Sequence, residues 1–399
     1  MPGVNKFAKL TSVDDAIQIL TDICKPVERR SLIDLEYADN RILSRDVAAP
    51  RNYPHYDLSL MDGYAVRAED TIGAREDAGK FLHLIKEGAV GCGTCMQVHT
   101  GGALPEGANA VVKREDTRAE RDGMIVIAEV KVGDNFVSEG NALKKGDIVY
   151  REGAQLKPTD IGTLGRLGFT EVEVYEKPRV LIVPTGDELI ERGKEPGPGV
   201  INDGNSLMCQ LTVKRYGGKP AIHDIVRDNA DALTEALKEG SRYDLIITTG
   251  GTSVGFRDHM DEAVASTGKV LVHGVALKPG RPMGIGYVDH DEKRTPIMFL
   301  PGVMEACAVS MLTFAGVALR KLGRYPEPHV YKGKAVLTRG VRKFPHTLAL
   351  TKLFIEGDKA TPVNIVGDPS RRGEYAYLIA PENSGSYEEG EEVEPAYLE

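Results

Sequence analysis

Three segments of the chain share one pattern: an unbroken apolar run, then a glycine-bearing loop, then a helical periodicity. They are "RVLIVPTGDEL" from Arg179, "YDLIITTGGTSVGFRDHMDEAVAST" from Tyr243 and "PIMFLPGVMEACAV" from Pro296. A strand that is apolar at every position must be covered on both faces, and helices that follow such strands are the crossovers of a parallel sheet. Ligands of such sheets sit in the crevice beyond the carboxyl ends of the strands. All three loops lie at such ends, so they are expected to converge on one site.

At 399 residues the chain exceeds one ordinary core, and about two to four domains are expected. "TSVDDAIQILTDIC" predicts a first helix, with Thr11 or Ser12 as N-cap and Asp15 at capping-box spacing from Ser12. Ile17, Leu20 and Ile23 recur on one face. Over residues 51–140, short alternating runs such as "GMIVIAEVKV" sit between Gly, Pro and Asn/Asp clusters, which predicts a β-rich domain. "KPTDIGTLGRLG" returns to helix, with Thr159 as a cap before Ile161, Leu164 and Leu167. The β-rich block therefore reads as inserted into a helical linker domain of residues 1–50 and 141–176. Residues 177–327 carry the α/β pattern, and residues 328–399 are polar and strand-like. The expected fold class is multidomain α/β plus β: a parallel-sheet α/β domain that binds the ligand, the inserted β-rich domain, the helical linker and a C-terminal β domain.

A net charge of −9, from 50 basic and 59 acidic residues with no basic stripe, does not favour nucleic acid as a partner. The first 20 residues lack an apolar core followed by a cleavage site, so no secretory signal is expected. The run Ala306–Leu319 is interrupted by Ser310, Thr313 and Gly316, which reads as a buried core helix rather than a membrane span. Five scattered cysteines suit a reducing cytoplasm. Cys92 and Cys95 form a Cys-x-x-Cys with His99 nearby, yet zinc would need a fourth ligand and no second pair exists. Met96 to His99 alternates like a strand, so the pair reads as small residues at a strand start.

In Thr249-Gly250-Gly251-Thr252-Ser253-Val254-Gly255 the glycines allow close backbone approach, and hydroxyls and amides could hold phosphate oxygens. The loop has neither a Walker lysine nor dinucleotide-binding glycine spacing, and it is equally compatible with a tight turn before a helix capped by Asp258. In "VALKPGRPMGIG", Lys278 and Arg281 flank a Pro-Gly turn and form either a clamp for a dianion or solvated surface charge. The hinge Pro301-Gly302 offers backbone amides at a third strand end. Carboxylates accompany these groups: Asp187 and Glu188 in the first loop, Asp258 after the second, and Asp62 in "MDGY". Carboxylates beside phosphate are unfavourable unless a divalent cation lies between them or they act on protons. The set as a whole suggests a Mg²⁺-dependent phosphoryl or nucleotidyl site.

Five segments, in order, resemble the signature segments of the molybdopterin molybdenumtransferases, the MoeA type that also forms the C-terminal part of gephyrin. They are "DLSLMDGYAVRAEDT", "TGGALPEGANAVVKREDT", "PTGDELIERGKEPGPGVINDGNS", "TTGGTSVGFRD" and "HGVALKPGRPMGIG". The resemblance runs from about residue 10 to 325. It implies a four-domain fold with a molybdopterin-binding α/β domain, in an elongated homodimer. It also implies insertion of molybdate or tungstate into adenylylated molybdopterin, with release of AMP and with Mg²⁺. The site would lie between the α/β domain of one subunit and the β-rich domain of the other. Molybdopterin adenylyltransferase and molybdoenzymes are the implied partners. Carried over by position, Thr185, Gly186, Asn205, Ser206, Gly250, Gly251, Ser253 and Gly255 would cradle the pterin and its phosphate, with Pro301 and Gly302 adding the hinge. Asp62, Asp187, Glu188 and Asp258 would position the cation or water, the last three as metal ligands. Asp62 and Thr100 would arrive from the partner subunit, and Thr100 and Gly101 would add to the cofactor contacts. Lys278 and Arg281 would hold the oxyanion, where the family has a Lys-x-x-Lys pair.

The chain departs from that pattern in three places. After Leu-Pro-Gly the family usually continues with Asn-Pro and a small hydroxyl residue, whereas Val303, Met304 and Glu305 stand here. "FVSEGNAL" carries Asn141 where the family has an acidic residue. The Arg- and Ser-bearing segments of the last domain have no clear counterpart near "FPHTLALTKLF", although Ser370, Arg371 and Arg372 lie in the following stretch. These departures keep open a second reading, a paralogue that holds molybdopterin or finished cofactor as a carrier or scaffold without inserting metal.

Overall fold

The computed structural model describes residues 10–250, 256–291, 293–363 and 373–398, the side chains of 256–258 excepted. Two compact units emerge. One comprises residues 33–39 and 43–172, and the other residues up to 32, 40–42 and from 173 onward. The predicted first helix, α1, spans Val13–Ile23, and the Ser12 hydroxyl accepts from the Asp15 amide at 3.1 Å. α2, Pro158–Leu167, is capped differently from the expectation. Thr159 lies inside the first turn, and the Asp160 carboxylate accepts from the Lys157 amide at 2.9 Å. Gly168 ends the helix in the left-handed region, φ 94°, which favours glycine.

The β-rich unit is built on six strands: β1 Gly63–Val66, β2 Lys80–Ile85, β3 Thr94–Val98, β4 Ala110–Lys113, β5 Thr117–Glu120 and β6 Gly123–Val126. Their order is β4-β1-β3-β2-β6-β5, antiparallel except for the β2–β3 pair. Alternation places Val66, Leu82, Cys95, Val112 and Val126 in one core. Cys95 is buried in β3, and burial pushes its thiol up to about 11; Cys92 is exposed. Of "GMIVIAEVKV" only the first four residues stay in the sheet.

The larger unit contains β7 Arg179–Pro184, α3 Asn205–Arg215, β8 Lys219–Ile222, α4 Ala230–Lys238, β9 Leu245–Thr249, α5 Phe256–Thr267, β10 Gly268–His273, β11 Leu277–Lys278, β12 Gly284–His290 and β13 Lys293–Leu300. The sheet order is β8-β7-β9-β13-β12-β10. The three apolar segments found in the sequence are thus adjacent parallel strands, joined by β8; β12 and β10 extend the sheet antiparallel, so it is mixed rather than wholly parallel. Successive residues of β7 enter opposite cores. Val180 and Ile182 pack with Ala16 and Leu20 of α1, while Leu181 and Val183 pack with Leu233 of α4 and Val264 of α5. That two-sided burial is why the strands read as continuous apolar runs.

The α1 face therefore belongs to the α/β core, although in sequence it groups with residues 141–176. A long helix, α6, runs Met304–Gly323 with a π-helical turn at Met311–Ala315. It is long and apolar enough to cross a membrane, but most of it is buried within the protein, as a core helix requires. Residues 335–393 add β14 Ala335–Leu337, β15 Leu348–Glu356, β16 Lys359–Pro362, β17 Glu374–Ala380 and β18 Glu392–Val393, and β11 joins their sheet by pairing parallel with β15. Phe314 on α6 is fully buried at the centre of the larger core. Phe314→Ala is expected to lower the stability of this unit by about 3–5 kcal/mol, read as an earlier urea midpoint.

Candidate active site at the carboxyl ends of the strands

β7, β9 and β13 end side by side, and their following loops interlock. The Thr185 amide and hydroxyl both donate to the Thr249 carbonyl, at 2.8 and 3.1 Å, and the Gly250 amide donates to Leu300 at 3.3 Å. Gly250 has φ +106°, and a Cβ there would lie 1.9 Å from the Thr185 carbonyl oxygen, so only glycine lets the two strand ends approach. Gly186 has φ +150°, and its Cβ would strike the Glu188 carboxylate. On the third strand end, the Asn205 side-chain amide donates to the Gly302 carbonyl at 2.8 Å, fixing α3 to the hinge before α6.

These loops enclose a cavity of about 590 Å³, in whose wall stand Glu188, Asn205, Asp228, Gly250, Gly302 and Met304. The structure thus brings together predicted residues from all three loops. Thr249 also faces it, and its buried hydroxyl has no hydrogen-bond partner among the described residues. An orphaned buried hydroxyl costs free energy unless something accepts or donates to it, which marks this wall as a place for a polar ligand.

Asp228 is absent from the sequence-derived set. It follows β8 in "IVRDNAD", a stretch without motif character, and only the position of β8 beside β7 carries it to the same crevice. Its Oδ1 is buried without a hydrogen-bond partner among the described residues, and its amide donates to the Asp187 carboxylate at 3.3 Å. Burial first, then the negative charges of Asp187 and Glu188, push the Asp228 carboxyl up to about 6. Such a concentration of carboxylate charge fits a divalent cation. No group of three or more His, Cys, Asp or Glu among the described residues forms a complete protein cage for one. Two wall carboxylates match the one or two that Mg²⁺ commonly takes, its shell being filled by water and phosphate oxygens. Glu188 and Asp228 are the residues that would hold it, and it would supply charge neutralisation beside a phosphate.

The remaining predicted residues are distributed as follows. Asp187 is exposed beside Asp228, and its carbonyl accepts from Arg227 at 2.9 Å. Thr185 is fully buried under the loop, and Pro301 is buried before the hinge. Ser206 is also fully buried, its hydroxyl held by the Asp203 carboxylate and by Arg192 at 3.0 Å, so it braces the start of α3. Lys278 is exposed with its ammonium 4.6 Å from the centre of the Phe344 ring; neither it nor the exposed Arg281 stands in the cavity wall. Gly251, Ser253 and Gly255 lie outside the described residues, as does the Asp258 side chain, although its backbone is in the first turn of α5. In the β-rich unit, Asp62 accepts from the Thr100 amide at 2.8 Å and hydroxyl at 3.3 Å, and Gly101 follows with φ +83°. The Thr100 amide, more than His99 or Arg114, holds the Asp62 carboxyl below its ordinary value.

Because the folded pKa of Asp228 lies above the ordinary one, its ionisation penalises the folded state as pH rises towards and through about 6. Asp228→Asn is expected to melt at a higher temperature than the parent at pH 8. The gap, worth about 1–2 kcal/mol after allowance for partial exposure, should close near pH 4. Calorimetric scans at the two pH values check this.

Comparison with known proteins gives one consistent result. Residues 11–168 match the family model for the MoeA N-terminal region, domains I and II, and residues 181–321 match the one described as "Probable molybdopterin binding domain". Molybdopterin molybdenumtransferase 2 of Mycobacterium tuberculosis is 32% identical over 345 residues, covering 80% of this chain and 82% of that protein. The molybdopterin molybdenumtransferase of Nostoc sp. is 30% identical over 334 residues, covering 80% and 76%. Two crystal structures of molybdopterin biosynthesis MoeA proteins from Pyrococcus horikoshii, 27% and 29% identical, have TM-scores of 0.81 and 0.78, each covering 98% of this chain and 100% of the other. The two family models together cover most of the chain and the relatives are 30% or more identical over four-fifths of it, so the chain belongs to the MoeA family of molybdopterin molybdenumtransferases, transferases of molybdenum cofactor biosynthesis.

Proposed function

We propose that the protein inserts molybdate or tungstate into adenylylated molybdopterin and releases AMP, with Mg²⁺ as the cation. In that reaction the dithiolene sulfurs replace oxygens of the oxyanion, which leave as water, and hydrolysis of the pterin–adenylate anhydride frees AMP. The observation that carries the reading is the 590 Å³ cavity at the strand ends, where the close backbone at Gly250 meets Glu188 and Asp228, whose carboxyl is pushed up to about 6. Backbone groups of Gly250 and Gly302 and the Asn205 amide hold the pterin phosphate. Glu188 and Asp228 hold the cation, and Asp228, titrating near neutrality, is suited to accept a proton from water.

Asp187 supports the charge of that pair, and Asp258 adds to it from the start of α5. The loop at 251–255 completes the phosphate cradle. Lys278 and Arg281 receive the incoming oxyanion, and Asp62 with Thr100 and Gly101 close the site from a second copy in a cytoplasmic homodimer. Substrate would come from a molybdopterin adenylyltransferase and product would pass to molybdoenzymes.

A second reading, a carrier that binds pterin without inserting metal, draws on the hinge. Val303 and Met304 are 60% and 42% exposed, and α6 begins without a side-chain cap while Glu305 sits in its first turn. That negative charge favours the helix dipole by about 0.3–1 kcal/mol and opposes a phosphate brought equally close.

AMP release from adenylylated molybdopterin, measured with molybdate or tungstate and Mg²⁺, separates the two. Insertion predicts turnover that falls about 10²–10⁴-fold in Asp228→Asn and disappears on chelation of the cation. Stoichiometric pterin binding with no AMP release under any of these conditions would instead establish the carrier.

A further inference from the structure

The amino-terminal end of the same sheet carries a second cavity, of about 230 Å³, lined by Ser31, Arg41, Glu176, Lys177, Arg179 and Lys219. Arg179 opens β7 and Lys219 opens β8, and the two are direct partners in the parallel ladder. Like charges at paired positions of neighbouring strands destabilise a sheet unless a counter-charge lies between them. Arg41 is half-buried and, among the described residues, makes one hydrogen bond, 3.0 Å to the Tyr175 carbonyl, and no ion pair. The Tyr175 ring is itself flanked by Arg30 and Arg324, 5.5 and 4.3 Å from its centre.

Against Arg41, Arg179 and Lys219 in the lining stands one carboxylate. Glu176 is already shared, its Oε2 accepting from Arg29 at 3.0 Å and from Arg179 at 2.9 Å. Lys219 has no ion pair among the described residues. Burial pushes the Arg41 guanidinium below its ordinary pKa, opposed by Tyr325 and Glu176, as expected of a partly desolvated cation short of a counter-ion. In a chain of net charge −9 such a local surplus of positive charge is an exception.

We propose that this cleft is a binding site for a small tetrahedral dianion of the phosphate or molybdate class, separate from the cavity at the strand carboxyl ends. With water taking about 30 Å³ per molecule, 230 Å³ holds one such oxyanion with a few waters and is too small for a nucleotide. β7 separates the two sites by its whole length of six residues, about 20 Å. Arg41 supplies a planar fork and Lys177, Arg179 and Lys219 supply the remaining charge.

The test is calorimetric titration of the full chain with inorganic phosphate and, separately, with molybdate at low ionic strength, alongside crystals soaked in tungstate. The expected result is a tungsten anomalous peak between Arg41 and Lys219 and a saturable heat that weakens as salt is raised. Lys219→Gln, an exposed position, should weaken this site about fivefold while leaving AMP release unchanged; Arg41→Gln should abolish it. Binding of both anions identifies a general oxyanion site, and binding of molybdate without phosphate identifies the metal oxyanion as its ligand. Tungsten density confined to the strand carboxyl ends, occupation of the cleft by a carboxylate of another chain, or equal affinities in parent and Lys219→Gln would overturn the proposal. None of these outcomes bears on the insertion reaction, which is read from AMP release alone.

Discussion

The Thr249 carbonyl accepts two hydrogen bonds from Thr185, while the glycine that follows it leaves no room for a side chain between the two loops. This contact holds the carboxyl ends of β7 and β9 together at the point where the chain leaves the sheet. Around it, the parallel register from Val180 to Pro184 and from Ile246 to Leu300 aligns three strand ends. Each strand is buried on both faces, so a slip in register would move apolar side chains without exposing any polar face to select against it. The loop interlock at Thr185, Thr249 and Gly250 supplies the directional constraint that burial alone lacks.

Charge is divided along the same strands. At the carboxyl ends, Glu188 and Asp228 stand in one wall with Asp187 beside them, and the Asp228 carboxyl is pushed up to about 6. At the amino ends, Asp244 is buried and anchors Arg29 through two hydrogen bonds of 3.0 and 2.6 Å, with Lys293 on the same carboxylate. Burial raises the Asp244 pKa, but the bonds from Arg29 and the Arg179 amide outweigh it and hold the carboxyl below its ordinary value. A carboxylate so paired is a structural tie, whereas one left with an orphaned oxygen beside two others is available for chemistry. Asp244 and Asp228 thus mark two opposite treatments of a carboxylate at the ends of one sheet.

Ser206 shows how a motif position can serve the scaffold, and Lys278 how a cation is held in place by a neighbouring ring. The Ser206 hydroxyl is taken up by Asp203 and Arg192 at the base of α3, and Lys278 sits on Phe344 where β11 enters the terminal sheet. Both lie in segments whose family resemblance suggested ligand contact. The Ser206 contacts tie the start of α3 to the loop before it, and a side chain in that role shapes a site through geometry.

Local patterns determined a good deal without any tertiary information. Continuous apolar runs required two-sided burial and hence the α/β sheet, and Thr11 or Ser12 with Asp15 marked the start of α1 to within one residue. Glycines at 186, 250 and 302 marked where the strands would end at a ligand, because close backbone approach is written directly in residue type. Other features had no local signature. Thr159 looked like a cap, yet Asp160 reaches back to the Lys157 amide, since either side chain can serve the first turn and geometry chooses. Asp228 resembles any acidic loop residue until β8 sets it beside Glu188, and Arg179 and Lys219, 40 positions apart, become neighbours only through strand register. Backbone conformation and burial depend on residue type and short-range spacing, so the sequence alone determines them. The titration of a carboxylate and the pooling of charge depend on distances across the sheet, and those exist only once the chain has folded.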